Sequence, residues 1–599
     1  MSTASDINIQ GVTPDSPRRK RVITRNVIIV GAGPEGLLSA ILMLRRNEQD
    51  LESSVRYHVM LVDSGPDLGQ IEEDDLNRHR SWMVALMAHA RSSIQQIPGL
   101  YKDYIEKMGN HCSSMTLGIG SRTFDVPVSK QELENLYIDR NCLCAALARY
   151  LNEHFLESGN LTLCYKTNVV HVDAEYRCLL VRSAENGHDQ SRSTSSTIPL
   201  YLGYDLLLGC DGIQSIVRNS FLTHHQDFYC SIQNAAGARM KSIHLTRPSN
   251  AEEDRHFFLW NCPPKMTSFA VPKRGGQINF LCSYAVQAPP DPDMLSEDPK
   301  IVQAYLEKHF TRFDLNFAEA ARAWVEQTWT TTQQVRCNFY HSIKLRALLL
   351  GDAAHASLPN LGEGTSMGLE DAVVLNDLLD LYKDNWDLAL PAFSKERVKE
   401  GNALTDLSFH TMHIEMVIRQ SIRHLLNQCF PTWLVDIEPK TIVSQGMKLS
   451  EAFERTSKRA YIGRSRQMKN DMKCAHFEKK SGMAQNQPNA DKHRSPVVNK
   501  VMILLVAVIA FILSQDVIKR DVFRRAQPVP LVHQHVRVTV AKDVQVGNAF
   551  GRIPRIFART TLKLEENVSI NHDTHRMAKN FDANFMWSFL RRAEALQSF

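Results

Sequence analysis

The chain has 599 residues, of which 43% are hydrophobic and 23% charged, and its formal net charge is +5. This composition excludes an intrinsically disordered protein and predicts a large core, with two closely joined domains and appendages. The basic residues are scattered or lie near the termini, which argues against a nucleic-acid partner. The 12 cysteines show no zinc or redox spacing, so we expect a reducing, intracellular environment and no metal.

Residues 1–24 are predicted to form a flexible basic tail. A β-branched run follows, and Gly31, Gly33 and Gly36 then precede apolar residues at helical spacing. A dinucleotide-binding fingerprint requires this order of strand, glycine turn and helix. The pyrophosphate of the dinucleotide then binds at the positive end of the helix. A second apolar run ends at Asp63, whose carboxylate could bind a ribose hydroxyl.

Two later segments repeat the pattern of an apolar strand that ends in a polar turn. The first, residues 205–212, ends in an Asp-Gly pair that suits a left-handed turn. The second, residues 348–355, places Gly351 and Asp352 between a strand and a helix. We therefore predict a second cradle for a polar cofactor.

The C-terminal third divides into four parts. Residues 416–477 are predicted as a helical continuation of a catalytic domain at 25–415, and 478–496 as a polar linker. The run 497–518 contains 13 consecutive uncharged, apolar residues and has basic flanks, which predicts a membrane-spanning or anchoring helix; a buried core helix is the alternative. No role is predicted for the tail at 519–599.

In this order and separation, the glycine fingerprint, Cys210-Asp-Gly212 and Gly351-Asp-Ala-Ala-His355 resemble the motifs of the FAD-dependent aromatic hydroxylases, the group A flavoprotein monooxygenases. Within that family the chain is most similar to the kynurenine 3-monooxygenases, through segments such as Asp139-Arg140-Asn141 and Leu369-Glu-Asp371. The resemblance implies an α/β fold with a Rossmann-type FAD-binding domain and an interleaved β-sheet substrate domain, as in p-hydroxybenzoate hydroxylase, followed by a helical C-terminal region.

The resemblance also implies a role for individual residues. Gly31, Gly33 and Gly36 would hold the FAD pyrophosphate, Asp63 the adenosine ribose, Arg140 the flavin nucleotide chain, and Gly351 with Asp352 the ribityl or pyrophosphate portion. The predicted flavin-facing residues are Pro359, Gly362, Glu363, Gly364 and Ser366. No side chain is required as a nucleophile, and His355 is expected to be a hydrogen-bonded structural residue.

In this family NADPH reduces FAD, O2 is captured as a flavin C4a-hydroperoxide, and one oxygen atom passes to an aromatic ring. The resemblance therefore implies bound FAD, NADPH and O2 as co-substrates, and a small aromatic or apolar acceptor. The eukaryotic members sit on the mitochondrial outer membrane, which suits the segment at 497–518.

The acceptor pocket departs from the kynurenine pattern. Ser114 replaces the arginine that binds the substrate carboxylate, Val128 replaces a neighbouring tyrosine, and Arg122 is the candidate substitute for the arginine. Residues 411–413 and Leu449 replace further tyrosine-containing segments.

Glu363 adds a negative charge near the flavin, which opposes the anionic reduced form unless the carboxyl is protonated or turned to solvent. Three hypotheses stay open: a monooxygenase with an altered acceptor, a flavin oxidoreductase of lipid-like substrates, and a catalytically degenerate FAD-binding scaffold.

Overall fold

The computed structural model describes residues 22–49, 55–76, 81–119, 122–126, 128, 133–183, 200–234, 238–286, 288–410 and 447–460. These residues belong to one compact unit, Met1–Gln487, whereas the second unit, Pro488–Phe599, lies outside the described ranges. The predicted membrane segment 497–518, the linker, the C-terminal tail and residues 411–413 also lie outside them. Within the described ranges, no helix combines the length and apolar character needed to cross a membrane.

Twenty strands alternate with helices along the described part of the chain. The strands are β1 (Ile23–Val30), β2 (Val55–Val62), β3 (Met83–Leu86), β4 (Asn110–His111), β5 (Ser114–Ile119), β6 (Arg122–Val126), β7 (Leu136–Asp139), β8 (Leu161–Cys164), β9 (Thr167–Asp173), β10 (Cys178–Ser183), β11 (Leu200–Gly203), β12 (Leu206–Gly209), β13 (Cys230–Asn234), β14 (Ala238–Thr246), β15 (Arg255–Trp260), β16 (Met266–Lys273), β17 (Gln277–Ala285), β18 (Gln333–Cys337), β19 (His341–Ser342) and β20 (Ala347–Leu349). β1 begins inside the predicted basic tail.

The α-helices occupy the connections and the C-terminal part of the described chain. They are α1 (Pro34–Gln49), α2 (Glu73–Leu76), α3 (Ala88–Gln95), α4 (Arg140–Phe155), α5 (Ile216–His224), α6 (Pro299–His309), α7 (Phe317–Glu326), α8 (Asp352–His355), α9 (Gly364–Leu381), α10 (Trp386–His410) and α11 (Leu449–Ala460). Short 3-10 turns lie at Leu68–Gln70, Glu106–Met108, Leu156–Ser158, Pro292–Leu295 and Pro359–Leu361, and a π-helical turn at Leu100–Ile105.

The first sheet is six-stranded, with the order β19-β20-β12-β1-β2-β8. Its strands are parallel except for β19. Residues 27–30 of β1 are all buried, which explains why this strand shows an unbroken apolar run instead of an alternating one. The chain moves outward from β1 through β2 to β8 and later returns on the other side of β1 with β12. In open sheets of this kind, ligands bind where the strand order reverses, at the carboxyl ends of the strands.

The second sheet is also six-stranded, with the order β14-β17-β16-β15-β5-β6. Its strands β5 and β6 come from a chain segment between β2 and β8, and its other four come from a segment between β12 and β20. The two sheets are therefore interleaved along the chain, which confirms the predicted α/β class with its inserted sheet. Helices α6 and α7 cover the second sheet and form a separate core with it, which includes Phe280, Leu306 and Trp324.

The turn after β1 can be made only with glycine at two positions. Gly31 has φ +105° and packs against the carbonyl of Cys210. A methyl group on Gly36 would overlap the carbonyl oxygen of Gly31, so α1 packs closely on the turn only because residue 36 has no side chain.

We predict that Gly36→Ala lowers the free energy of unfolding by more than about 3 kcal/mol, because the added methyl group meets backbone that cannot rotate away. The midpoint of urea unfolding, followed by tryptophan fluorescence, measures this change. Gly203→Ala is the matched control, since a Cβ at Gly203 has no heavy atom within 4 Å. Equal midpoints for the two variants would contradict the close packing of α1.

Candidate functional site

A cavity of about 630 Å³ lies between the carboxyl ends of the first sheet and one face of the second. Its volume is in the usual range for cofactor and ligand sites. Gly31, Asp63, Asp211 and Asp352 stand on the wall that the first sheet provides, and Met240 stands on the opposite wall. Three motifs that are far apart in the sequence thus meet at one site.

Asp63 fixes the glycine turn from the end of β2. Its Oδ2 accepts a hydrogen bond from the amide of Ala32 at 2.6 Å, and its Oδ1 accepts one from the amide of Gly65 at 2.6 Å. Hydrogen bonds to a carboxylate are stronger than those to neutral acceptors. The carboxylate that we predicted as a ribose ligand therefore also holds the turn in place.

The second motif is tied to the third by a buried arginine. Asp211 Oδ2 accepts hydrogen bonds from the amides of Ile216 at 2.7 Å and Val217 at 3.1 Å, so this carboxylate caps α5. Arg218 in that helix is buried, and its Nη1 donates to the carbonyl of Ala353 at 2.9 Å. The Nη2 atom donates to the carbonyl of Ile213 at 2.6 Å.

The third motif is held by the buried carboxylate of Asp371 in α9. Asp371 Oδ2 accepts from the Gly351 amide at 2.9 Å and lies 2.6 Å from His355 Nε2. Its Oδ1 accepts from Arg397 Nε at 2.6 Å. Burial opposes ionisation of this carboxyl, but His355, Arg397 and the hydrogen bonds outweigh burial and hold its pKa below the usual 3.8. His355 thus has the structural, hydrogen-bonded position that we expected.

The predicted flavin-facing segment divides between the cavity and the interior. Pro359, Gly362 and Gly364 line the cavity. Ser366 instead donates to the Ala85 carbonyl and accepts from the Met87 amide, both at 3.2 Å.

Glu363, which is 3% exposed, also lies off the cavity wall, with Oε2 at 3.6 Å from His89 Nε2. We predicted Glu363 as a flavin-facing residue whose charge would oppose the reduced flavin unless the carboxyl was protonated or turned to solvent. The structure has it turned into the protein interior beside His89, away from the cavity.

Two charged residues line the cofactor end of the cavity. Arg140, which we predicted, lies at the start of α4 with its guanidinium 5.7 Å from the centre of the Trp82 ring. Glu35, which the sequence reasoning missed, lines the same wall from the first turn of α1. The only sequence signal for Glu35 was an acidic residue inside the glycine fingerprint, at a position where the pattern allows any residue.

The described residues fit a dinucleotide such as FAD. The turn at Gly31 brings bare backbone to the cavity, a Cβ on Gly33 would approach the lining side chains of Glu35 and Arg140, and the amides at the start of α1 have no partners within the helix. Arg140 supplies a cation for a phosphate and Asp63 an acceptor for a ribose hydroxyl. Gly36 lies behind the turn, and Gly351 packs against the side chain of Glu35.

The acceptor end of the cavity is neutral or apolar except for Lys241. Its other lining residues are Met240, Ser242, Leu281, Thr328 and Thr330–Thr332. Lys241 has its Nζ 2.6 Å from the Trp324 carbonyl, to which it donates, and within 5 Å of the Trp324 and Trp329 ring centres. Burial lowers the pKa of Lys241 to about 8.

The positions that suggested an altered acceptor lie off the cavity wall. Ser114 starts β5 and Arg122 is exposed on β6, at the edge of the second sheet away from β14. Leu449 packs in a small cluster with Leu404 and Ala452. Val128 is half-buried and is not among the residues that line the cavity. Arg122 therefore does not replace the arginine of the kynurenine pattern at this site.

Comparison with known proteins gives consistent matches. A family model described as an FAD binding domain matches residues 147–408. Kynurenine 3-monooxygenase of Sus scrofa is 23% identical over 430 residues, which cover 69% of this chain and 82% of the relative. Violacein synthase of Chromobacterium violaceum is 23% identical over 391 residues, with coverages of 64% and 84%. Among solved structures, 2-methyl-3-hydroxypyridine-5-carboxylic acid oxygenase matches 71% of this chain and 97% of its own, at 16% identity and a TM-score of 0.49.

The matched domain and these relatives confirm FAD as the cofactor, and they confirm the predicted resemblance to the FAD-dependent aromatic hydroxylases.

We predict that Asp371→Asn lowers the free energy of unfolding by about 3 kcal/mol at neutral pH, because it removes the buried carboxylate that pairs with Arg397 Nε and leaves the partly exposed Glu370 as the remaining carboxylate partner of this buried arginine. The pKa of Asp371 is depressed, so its contribution is present above the ordinary value and is lost as pH falls. The variant should therefore approach the wild type below pH 3.8. Urea unfolding at several pH values measures both effects. Asp377→Asn, exposed on the same helix, is the control and should change stability by less than about 0.5 kcal/mol.

Proposed function

We propose that this FAD-dependent oxidoreductase, a relative of the kynurenine 3-monooxygenases, uses NADPH and O2 to insert one oxygen atom into a small, uncharged aromatic or apolar acceptor. The observation that supports the proposal is the position of the cavity. It extends from the three cofactor motifs to the inner face of the second sheet, so that an acceptor could lie beside the cofactor in one continuous cavity.

Each wall of the cavity has a separate task in this proposal. When bound, FAD supplies the redox chemistry, since it takes electrons from NADPH and activates O2. Arg140 would bind a phosphate of the cofactor, and the backbone at Gly31 would allow its close approach. Met240 and Leu281 would exclude water from the reacting ring, while the threonine hydroxyls between residues 328 and 332 would orient polar substituents.

The charge distribution favours an uncharged acceptor. Among the described residues, the basic side chains that line the cavity are Arg140 and Lys241. Arg140 faces Glu35 and Asp352 at the cofactor end, and Lys241 already donates to a backbone carbonyl. A carboxylate buried at the acceptor end would have to compete with the Trp324 carbonyl for Lys241 and would bear the cost of desolvation.

We expect NADPH oxidation by the FAD-loaded full chain to respond at least tenfold more strongly to 2-aminoacetophenone than to L-kynurenine. The ketone keeps the aminoaryl group of kynurenine but has no carboxylate to desolvate. Oxidation is followed by NADPH absorbance, and products are checked by mass for one added oxygen atom. Equal hydroxylation of L-kynurenine would contradict an uncharged acceptor. Bound flavin with no oxygenated product from any acceptor would contradict a monooxygenase.

A matched pair of variants tests the acceptor end. Met240→Trp should fill the cavity and abolish stimulation by the acceptor while FAD stays bound, because residue 240 lies on the wall of the second sheet. Arg239→Trp adds the same ring at an exposed position of the same strand and should leave stimulation unchanged. Equal responses of the two variants would place the acceptor elsewhere.

We also propose that residues 497–518 anchor the chain to an intracellular membrane, with the mitochondrial outer membrane as the expected one. The apolar run at 501–513 and the basic residues on both sides support this proposal. Leu504→Arg with Ile509→Arg should release the full chain from membranes at alkaline pH, since each arginine costs about 3 kcal/mol in a spanning helix. Gln485→Arg with Gln487→Arg in the linker is the control and should remain in the membrane fraction. Release of the wild type itself would contradict anchoring.

A further inference from the structure

Glu35 occupies a slot that two glycines create at the cofactor end of the cavity. A Cβ on Gly351 would lie 2.8 Å from Glu35 Cγ, and a Cβ on Gly368 would lie 2.5 Å from Glu35 Oε1. The Glu35 carboxyl therefore occupies space that the side chain of any other residue at position 351 or 368 would fill. Because Glu35 is in the first turn of α1, its carboxyl also stands beside the backbone that should receive a pyrophosphate.

Charged groups from three helices face this carboxyl. Asp352 in α8 and Asp371 in α9 oppose its ionisation, and Arg140 in α4 favours it. Asp371 is already paired with His355 and Arg397. Burial raises the pKa of Glu35 most, Asp352 adds to the effect, and together with the smaller influences they bring the pKa to about 7.

Two thiols and the carboxylates of Asp63 and Asp211 also lie near this wall. Burial raises the pKa of Asp211, although hydrogen bonds from Ser215 and from backbone amides oppose the effect, and burial also raises the pKa of Asp352. Burial raises the pKa of Cys144 to about 12 and raises the pKa of Cys210 well above its usual value, so both thiols are neutral between pH 6 and pH 8. Asp63 acts on Arg140 and is held by the amides of Ala32 and Gly65. The pKa of Glu35, about 7, places the change in its protonation near neutral pH.

The pyrophosphate of FAD brings two negative charges to the same helix start. An ionised Glu35 would repel them and can only accept hydrogen bonds, whereas the protonated carboxyl has an O–H to donate to a phosphate oxygen. We propose that FAD binds together with a proton held on the Glu35 carboxyl, so that the affinity for the cofactor falls as pH rises. The proposal depends on FAD as cofactor and not on the identity of the acceptor.

The size of the effect follows from linkage. The pKa of Glu35 in the free protein is about 7, and bound pyrophosphate raises it further. Only the protonated fraction of the free protein is then competent to bind, and this fraction falls about tenfold between pH 6 and pH 8. The apparent Kd for FAD should rise by about tenfold over the same range.

FAD titration of the full chain, stripped of cofactor, tests the proposal without any turnover. Quenching of FAD fluorescence gives Kd at pH 6, 7 and 8. Calorimetry in two buffers of different ionisation enthalpy gives the protons taken up at pH 8, which should approach one per FAD. Glu35→Gln keeps the shape and removes the titration, so its Kd should be nearly constant and its proton uptake near zero. Glu48→Gln, exposed at the other end of the same helix, should match the wild type.

Each outcome decides for or against Glu35. A wild-type Kd that does not change with pH, or proton uptake near zero, would overturn the proposal. Wild-type behaviour that persists in Glu35→Gln would assign the proton to another group and would overturn it equally. Should Glu35→Gln fail to fold, Glu35→Ala takes its place, because it also removes the titrating carboxyl. Loss of NADPH oxidation with an intact pH effect would contradict the proposed function alone.

Discussion

The buried carboxylate of Asp371 is the interaction on which the cofactor end of the structure depends. It joins the end of β20, the short helix α8 and the long helices α9 and α10 through the Gly351 amide, His355 and Arg397. A carboxylate that is fully buried is stable only when its charge is compensated, and here two basic side chains and one amide compensate it. This network fixes the loop that carries Gly351, and thereby the slot that holds Glu35.

Acidic residues on the cavity wall are used in two different ways. Asp63 and Asp211 accept hydrogen bonds from nearby backbone amides and so keep their own turns rigid. Burial instead raises the pKa of both Asp352 and Glu35, Asp352 raises that of Glu35 further, and both face the cavity. A site for an anionic cofactor therefore contains carboxylates that build it and carboxylates that oppose the ligand while they are ionised.

Local patterns predicted the parts of the fold that local sequence determines. The glycine turn, the strand before it and the acid that ends β2 follow from spacing and from steric limits within a few residues. The interleaved second sheet came from resemblance, because no local pattern tells which distant strands will pair.

The orientation of Glu363 toward His89 and the exposed position of Arg122 depend on how separate elements pack. For this reason the sequence alone did not predict either position. Glu35 was passed over because the fingerprint constrains only its glycines, and the slot for Glu35 is formed by Gly351 and Gly368, which lie more than 300 residues away in the sequence.

Arg218 links the second and third motifs through backbone carbonyls only, at Ile213 and Ala353. These hydrogen bonds depend on the path of the main chain and not on which side chains the two loops carry. Chimeras with a related enzyme should therefore tolerate many substitutions within these loops. A crossover that combines loops of different lengths should instead break the hydrogen bonds of Arg218. The segment between the two motifs would have to be exchanged as one block with both loops, which limits how domains of this architecture can recombine.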